Sequence, residues 1–171
     1  MTPLYPVIRD SHGSELSHLP LKSNLNKMLN GISPILSPEL IAILCRMGHG
    51  DQILLADAHF PAESFNDRVL RADGLRIPNL LRGILPLFPL DPYVVAPLVM
   101  MAPVEGDQLD PSVEADYRAA MEKAGVAVDI AIERIERFAF YERVRSNFAV
   151  VVTGEMAKYG NIILTKGLVQ D

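Results

Sequence analysis

His49 stands between Gly48 and Gly50, so neither neighbour carries a side chain that could pack over the imidazole, and the backbone there stays open to a ligand. An imidazole titrates near pH 6.5 when unperturbed, which suits it to give or take a proton at neutral pH. The same residue could instead answer the dipole at the end of the helical pattern that precedes it. Asp57 follows the apolar run Ile53-Leu54-Leu55-Ala56, at the carboxyl-end position where open α/β sheets present ligand-binding groups. Its carboxylate could accept hydrogen bonds from a polyhydroxylated ligand or cap the loop Ala58-His59-Phe60-Pro61. His49, Asp51, Asp57 and His59 are all metal-ligand types, yet no HExxH or cysteine pairing accompanies them, so no metal site is expected.

Arg137 precedes the aromatic cluster Phe138, Phe140 and Tyr141. Its guanidinium offers five fixed donors to hydroxyl or carboxylate oxygens, or it pairs with Glu133 or Glu136 on the surface. Tyr159-Gly160-Asn161 leads into the last apolar run and combines a phenol, an unobstructed backbone and an amide that donates and accepts. The alternative there is a plain turn in which Gly160 supplies a special backbone angle. The chain has no Trp; Phe60, Phe88, Phe138, Phe140 and Tyr93 read as core or interface residues rather than as a stacking platform.

These residues need elements to position them. Ser37-Pro38-Glu39 supplies a hydroxyl N-cap, a proline at the first helical position and an acid in the first turn, ahead of Leu40, Ile41, Ile43, Leu44 and Met47. Gly48 ends that helix and hands the chain to a strand at 53–56. A second helix is expected near Pro78, disturbed by Pro86, and a buried strand over 98–101. Asp110-Pro111 repeats the capping signal for a third helix ending at Gly125. Strands are expected over 128–132, 148–152 and 162–165, with a short helix over 138–145. The alternation defines an α/β fold: one layered domain with a central, mostly parallel sheet flanked by helices. Residues 1–27, rich in Ser, Asn, Pro and Lys without apolar periodicity, read as a flexible N-terminal extension to a domain over 28–171. Met28 offers an alternative start.

Charge and composition narrow the function. The net charge is −5, and 16 Lys and Arg are scattered without a basic block, which argues against nucleic acid and anionic membrane as partners. Hydrophobic residues make up 49% and charged residues 22%, too apolar a balance for a solvated disordered chain. With a mean hydropathy of +0.18, a homo-oligomer is expected. Cys45 is the single cysteine, which suits a reducing compartment. The longest charge-free apolar run, 92–104, is broken by Pro97 and Pro103 and falls short of the roughly 18 to 20 residues that span a bilayer. No apolar leader precedes Asp10, His12 and Glu15, so a cytoplasmic location is expected. No GxGxxG, Walker or GxSxG motif occurs, which weakens dinucleotide, nucleotide and serine-hydrolase readings.

Taken in order, Ile32-Ser33-Pro34, Ser37-Pro38-Glu39-Leu40, Met47-Gly48-His49-Gly50-Asp51, Asp57-Ala58-His59-Phe60-Pro61 and Arg71-Ala72-Asp73-Gly74 resemble the RbsD/FucU family, in its branch acting on L-fucose. So do Val104-Glu105-Gly106-Asp107, Arg137-Phe138-Ala139-Phe140-Tyr141-Glu142-Arg143, Thr153-Gly154-Glu155 and Lys158-Tyr159-Gly160-Asn161-Ile162. The match runs from about 28 to 169. The resemblance implies an RbsD-like fold, a toroidal homodecamer with sugar sites near subunit boundaries, and interconversion of the anomers of a free aldose without cofactor or metal. It makes His49 the proton donor, and Asp57, Arg137, Tyr159, Gly160 and Asn161 the substrate-binding residues. The group that takes the anomeric proton is left open among Tyr159, Asp57 and water. A ribose pyranase and a non-catalytic sugar-binding or regulatory protein are the alternatives.

Overall fold

Nearly uninterrupted Val, Ile and Leu make the four central strands apolar on both faces, and the fold buries both. The structure, a computed structural model, describes residues 29–169; the extension expected over 1–27 and the start at Met28 lie outside the described residues. Six strands form one sheet: β1 (Gln52–Ala56), β2 (Val69–Ala72), β3 (Leu98–Met101), β4 (Ile132–Ile135), β5 (Ala149–Thr153) and β6 (Ile162–Thr165), in the order β2-β5-β1-β6-β3-β4. β5 lies parallel to β1 and β2, and β4 parallel to β3, whereas β6 runs antiparallel to β1 and β3. Five strands therefore point one way, which bears out the mostly parallel sheet.

The period of two along each strand assigns side chains to layers. Ile53, Leu55, Leu98, Met100, Val151 and Leu164 face one core with α1 (Pro38–Arg46), α3 (Ile77–Ile84) and α4 (Pro111–Lys123). Leu54, Ala56, Val99, Met101, Val150 and Ile163 face a second core, closed by Phe60, Ala62, Phe140 and Val144 from α2 (Ala62–Phe65), α5 (Arg137–Arg145) and the turn before α2. Each such side chain fully buried stabilises the fold by about 1.5–3 kcal/mol before ordering entropy is counted.

Helix ends follow the capping chemistry. Ser37 Oγ accepts from Leu40 N at 3.2 Å, and Asp110 Oδ1 from Ser112 N at 2.9 Å, caps worth about 1 kcal/mol each. Glu136 does the same for α5, accepting from Phe138 N and Ala139 N. Pro86 converts the end of α3 into a 3-10 turn over Leu85–Leu87.

The strand expected over 128–132 instead occupies 132–135. The Arg118 guanidinium claims the carbonyls of Val128 and Ile130 at 2.8 and 3.1 Å, so those groups are bound to α4 and cannot join a ladder. Sequence reading also passed over α2, a four-residue helix without a side-chain cap, and β2, an edge strand with one partner and a half-exposed pattern. Short elements of this kind owe their form to neighbours more than to their own periodicity.

Candidate active site

The carboxyl ends of β1, β3, β4 and β5 converge with the amino end of β6 on a cleft of about 410 Å³, within the roughly 300–1,000 Å³ usual for small-molecule sites. Asp57 enters it directly from β1 and Asn161 from the residue before β6. The two are joined twice: Asn161 Nδ2 donates to Asp57 Oδ2 at 2.6 Å, and Asp57 N donates to Asn161 Oδ1 at 2.9 Å. Asp57 Oδ1 also accepts from His59 N at 2.9 Å, so this carboxylate caps its loop as well as lining the cleft. Both side chains are buried. Burial pushes the Asp57 carboxyl above its ordinary value, and the hydrogen bonds from His59 and Asn161 offset this only in part. The residue is thereby a better proton acceptor than a solvated aspartate.

Arg137, the first residue of α5, lines the same cleft, and its Nε donates to Tyr141 Oη at 3.0 Å. Neither carboxylate expected to compete for it does so: Glu133 pairs with Arg143, and Glu136 caps the helix. Phe60, Met101 and Tyr141 give the cleft an apolar wall.

The connection between β5 and β6 forms the opposite wall. Tyr159 has φ 58°, the one positive φ at a non-glycine position among the described residues, a conformation that costs about 1–3 kcal/mol for a bulky side chain. The surroundings hold it there. Buried Glu155 accepts from Met156 N and Ala157 N at 3.1 Å each and is gripped by Arg76 through Nε and Nη2, also at 3.1 Å. Tyr117, buried in α4, donates its hydroxyl to Gly160 O at 2.7 Å; burial pushes this phenol's titration upward, so it stays a donor. Gly160 is required for space: a Cβ there would lie 2.9 Å from Ala157 O and 3.1 Å from Tyr117 Oη. The special backbone angle expected at Gly160 thus belongs to Tyr159. The Tyr159 hydroxyl donates to Asp107 Oδ2 at 2.9 Å, an oxygen that also accepts from Lys158 Nζ at 2.8 Å.

His49 lies elsewhere. It precedes β1, where Gly50 N bonds Lys166 O beyond the end of β6, and the five residues of β1 put roughly 17 Å of strand between this end and the cleft. Its Nε2 meets Asp91 Oδ2 at 3.1 Å, and its ring stands edge-on to Tyr93 at 5.8 Å. The Asp91 side chain is 4% exposed and that of His49 is 41% exposed. The backbone N–H of Tyr93, with a smaller contribution from His49, holds the Asp91 carboxyl below its ordinary value. A carboxylate against Nε2 fixes the imidazole orientation and leaves Nδ1 free to exchange a proton.

The structure therefore unites Asp57, Arg137, Tyr159 and Asn161 around one cleft, packs Gly160 behind it against Ala157 and Tyr117, and sets His49 at the other end of the sheet. The four metal-ligand types His49, Asp51, Asp57 and His59 are divided between the two ends. Asp107 and Lys158 escaped chemical notice because each is an unremarkable surface residue until two loops meet. Asp91, between Leu90 and Pro92, carries no signal in its neighbours.

Comparison with known proteins agrees with this architecture. The model of the RbsD / FucU transport protein family matches residues 30–169, and the chain belongs to that family. An L-fucose mutarotase of Actinobacillus pleuropneumoniae serotype 5b (strain L20) is 56% identical over 141 residues, covering 82% of this chain and 97% of that protein. The fucose mutarotase of Streptococcus pneumoniae, solved in complex with L-fucose, superposes with a TM-score of 0.77 at 43% identity, covering 83% of this chain and 100% of that one. FucU from Bifidobacterium longum has a TM-score of 0.77 at 42% identity, over 82% of this chain and 99% of its own.

Proposed function

We propose that this chain is an aldose mutarotase, an isomerase that interconverts the α and β anomers of L-fucose by opening and reclosing the pyranose ring. The convergence of Asp57, Arg137, Tyr159 and Asn161 on one cleft carries this reading, in a chain whose relatives are fucose mutarotases. Ring opening needs a proton delivered to the ring oxygen and another removed from the anomeric hydroxyl. Asp57, with its raised proton affinity, takes the anomeric proton as the bond from C1 to the ring oxygen breaks, leaving an aldehyde. Rotation about C1–C2 and return of both protons gives the other anomer. Arg137 and Asn161 hold hydroxyls, and Gly160 lets the loop that carries Tyr159 pack closely on Ala157 and Tyr117.

The acid is His49, supplied by a second copy, because a strand's length separates it from the cleft of its own chain. Apolar side chains stand exposed at both ends: Tyr93 and Val95 beside His49, Phe138 and Met156 beside the cleft. Joining one end to the other is a heterologous contact, the kind that builds a ring where the rotation between copies closes. The decamer expected from the family resemblance fits this contact. In this reading the protein works in the cytoplasm, where Cys45 stays a thiol. Among the described residues no helix is long and apolar enough to cross a membrane.

Saturation-transfer NMR with L-fucose, galactose and ribose tests the activity. Fastest anomer exchange on fucose is expected, and no acceleration on any of the three would overturn the proposal. The shared site is tested by dissociating and reassembling His49→Ala with Asp57→Asn protein. Each alone is slowed about 10²-fold or more; a mixed ring regains about a quarter of its sites if each site draws on two copies, and none if it does not.

A further inference from the structure

The connection after β3 contributes Asp107 to the cleft wall, and the function above gives it no task. We propose that Asp107 is a positioning residue: it takes the one proton of the Tyr159 phenol and so presents the phenol oxygen to the cleft as a fixed acceptor for a substrate hydroxyl. The geometry supports this from three sides. An ionised carboxylate only accepts, so the hydrogen in the 2.9 Å contact comes from Tyr159. Val104 N donates to the same phenol oxygen in a long contact of 3.4 Å, which takes one lone pair and leaves the other to accept, with no hydrogen to offer. Asp107 is itself set in a prebuilt turn, its N–H on Val104 O at 3.0 Å, its Oδ1 accepting from Gln108 N at 2.9 Å, and Gly106 at φ +83°. It thus joins the β3–α4 connection to the strained β5–β6 connection.

Charge keeps the arrangement in one state. Lys158, Tyr159 and the Gln108 N–H together hold the Asp107 carboxyl at about 2, so it is ionised throughout the neutral range. For Tyr159 to take the anomeric proton it would have to pass its own to this weak base. The phenol therefore orients the sugar and leaves proton transfer to Asp57. This division of labour rests on the sugar reading; the latch between the two loops does not.

The test uses Asp107→Ala, Asp107→Asn and Tyr159→Phe in the full chain. Loss of one charge-assisted hydrogen bond predicts that Asp107→Ala raises KM for fucose about tenfold with kcat changed less than about threefold. Asp107→Asn, which keeps an acceptor oxygen, raises KM by about threefold. Combining Asp107→Ala with Tyr159→Phe adds less than about twofold to either alone, because both remove one interaction. A wild-type KM in Asp107→Ala, or effects that multiply in full, would overturn the assignment. Amide hydrogen exchange over 156–160, measured without sugar, is faster in Asp107→Ala than in wild type; unchanged exchange there rejects the latch. If wild-type protein accelerates no aldose, the sugar reading falls, and amide exchange still decides the latch.

Discussion

The two ends of the sheet are built from the same strands yet prepared for different work. At the carboxyl end, buried Asp57 and Asn161 satisfy each other, and a loop strained at Tyr159 is held by Glu155, Tyr117 and Asp107. The amino end has one exposed imidazole leaning on one buried carboxylate. The proposed binding groups come in a hydrogen-bonded cluster, whereas the proposed proton donor stands on an accessible loop. His49 and Asp57 are eight positions apart in the chain, and the β-strand between them makes them distant in the fold, so nearness in sequence is no guide to a shared site.

Removing either end should fail in a different way. His49→Ala is expected to slow anomer exchange by about 10²- to 10⁴-fold, the usual worth of general acid–base catalysis, while calorimetry shows fucose affinity within about twofold of wild type. A large loss of affinity would move His49 into the binding cluster and erase the contrast. Asp57→Asn is expected to lower exchange about 10²-fold and to lower the thermal midpoint at neutral pH, because its amide nitrogen must face either Asn161 Nδ2 or His59 N, both of them donors. Its carboxyl titrates higher folded than unfolded, so the stability tied to its neutral form is complete below about pH 4 and lost as pH rises through the raised value. The thermal deficit of Asn against Asp should therefore widen on acidification, as melting curves across pH will check.

Asn161→Ala should weaken fucose binding about tenfold and cost about 1–3 kcal/mol of stability, since it strands buried partners on Asp57; an unaltered calorimetric affinity would reduce Asn161 to a brace. The smallest effect concerns acid. Asp107 titrates lower folded than unfolded, from 3.8 down to about 2, so its contribution is present above about pH 4 and is lost as pH falls towards 2. Asp107→Asn should flatten that part of the acid-stability curve, and an identical slope would show the carboxylate to be unlinked to folding.

Much of the frame was legible because strong local signals agreed with the tertiary result. Ser37-Pro38 and Asp110-Pro111 mark helix starts that the structure places at Pro38 and Pro111, and continuous aliphatic runs mark strands buried on both faces. The weaker signals failed for physical reasons. Residues 128–131 have strand-like composition, but Arg118 occupies their carbonyls; β2 and α2 are too short to show a period. In sequence Gly160 reads as an unobstructed backbone or as the source of a special backbone angle, yet its glycine is required by crowding against Ala157 and Tyr117, and Tyr159 carries the positive φ.

Residue order alone determined the layers of this protein and the side chains equipped for acid–base and hydroxyl chemistry, because periodicity, capping and functional groups are local properties of the chain. Tertiary structure decided which of those side chains meet. Asp57 reaches Asn161 across 104 positions and Tyr159 reaches Asp107 across 52, pairings set by strand order and loop packing, while β1, a rigid spacer of five residues, keeps His49 from the cleft of its own chain.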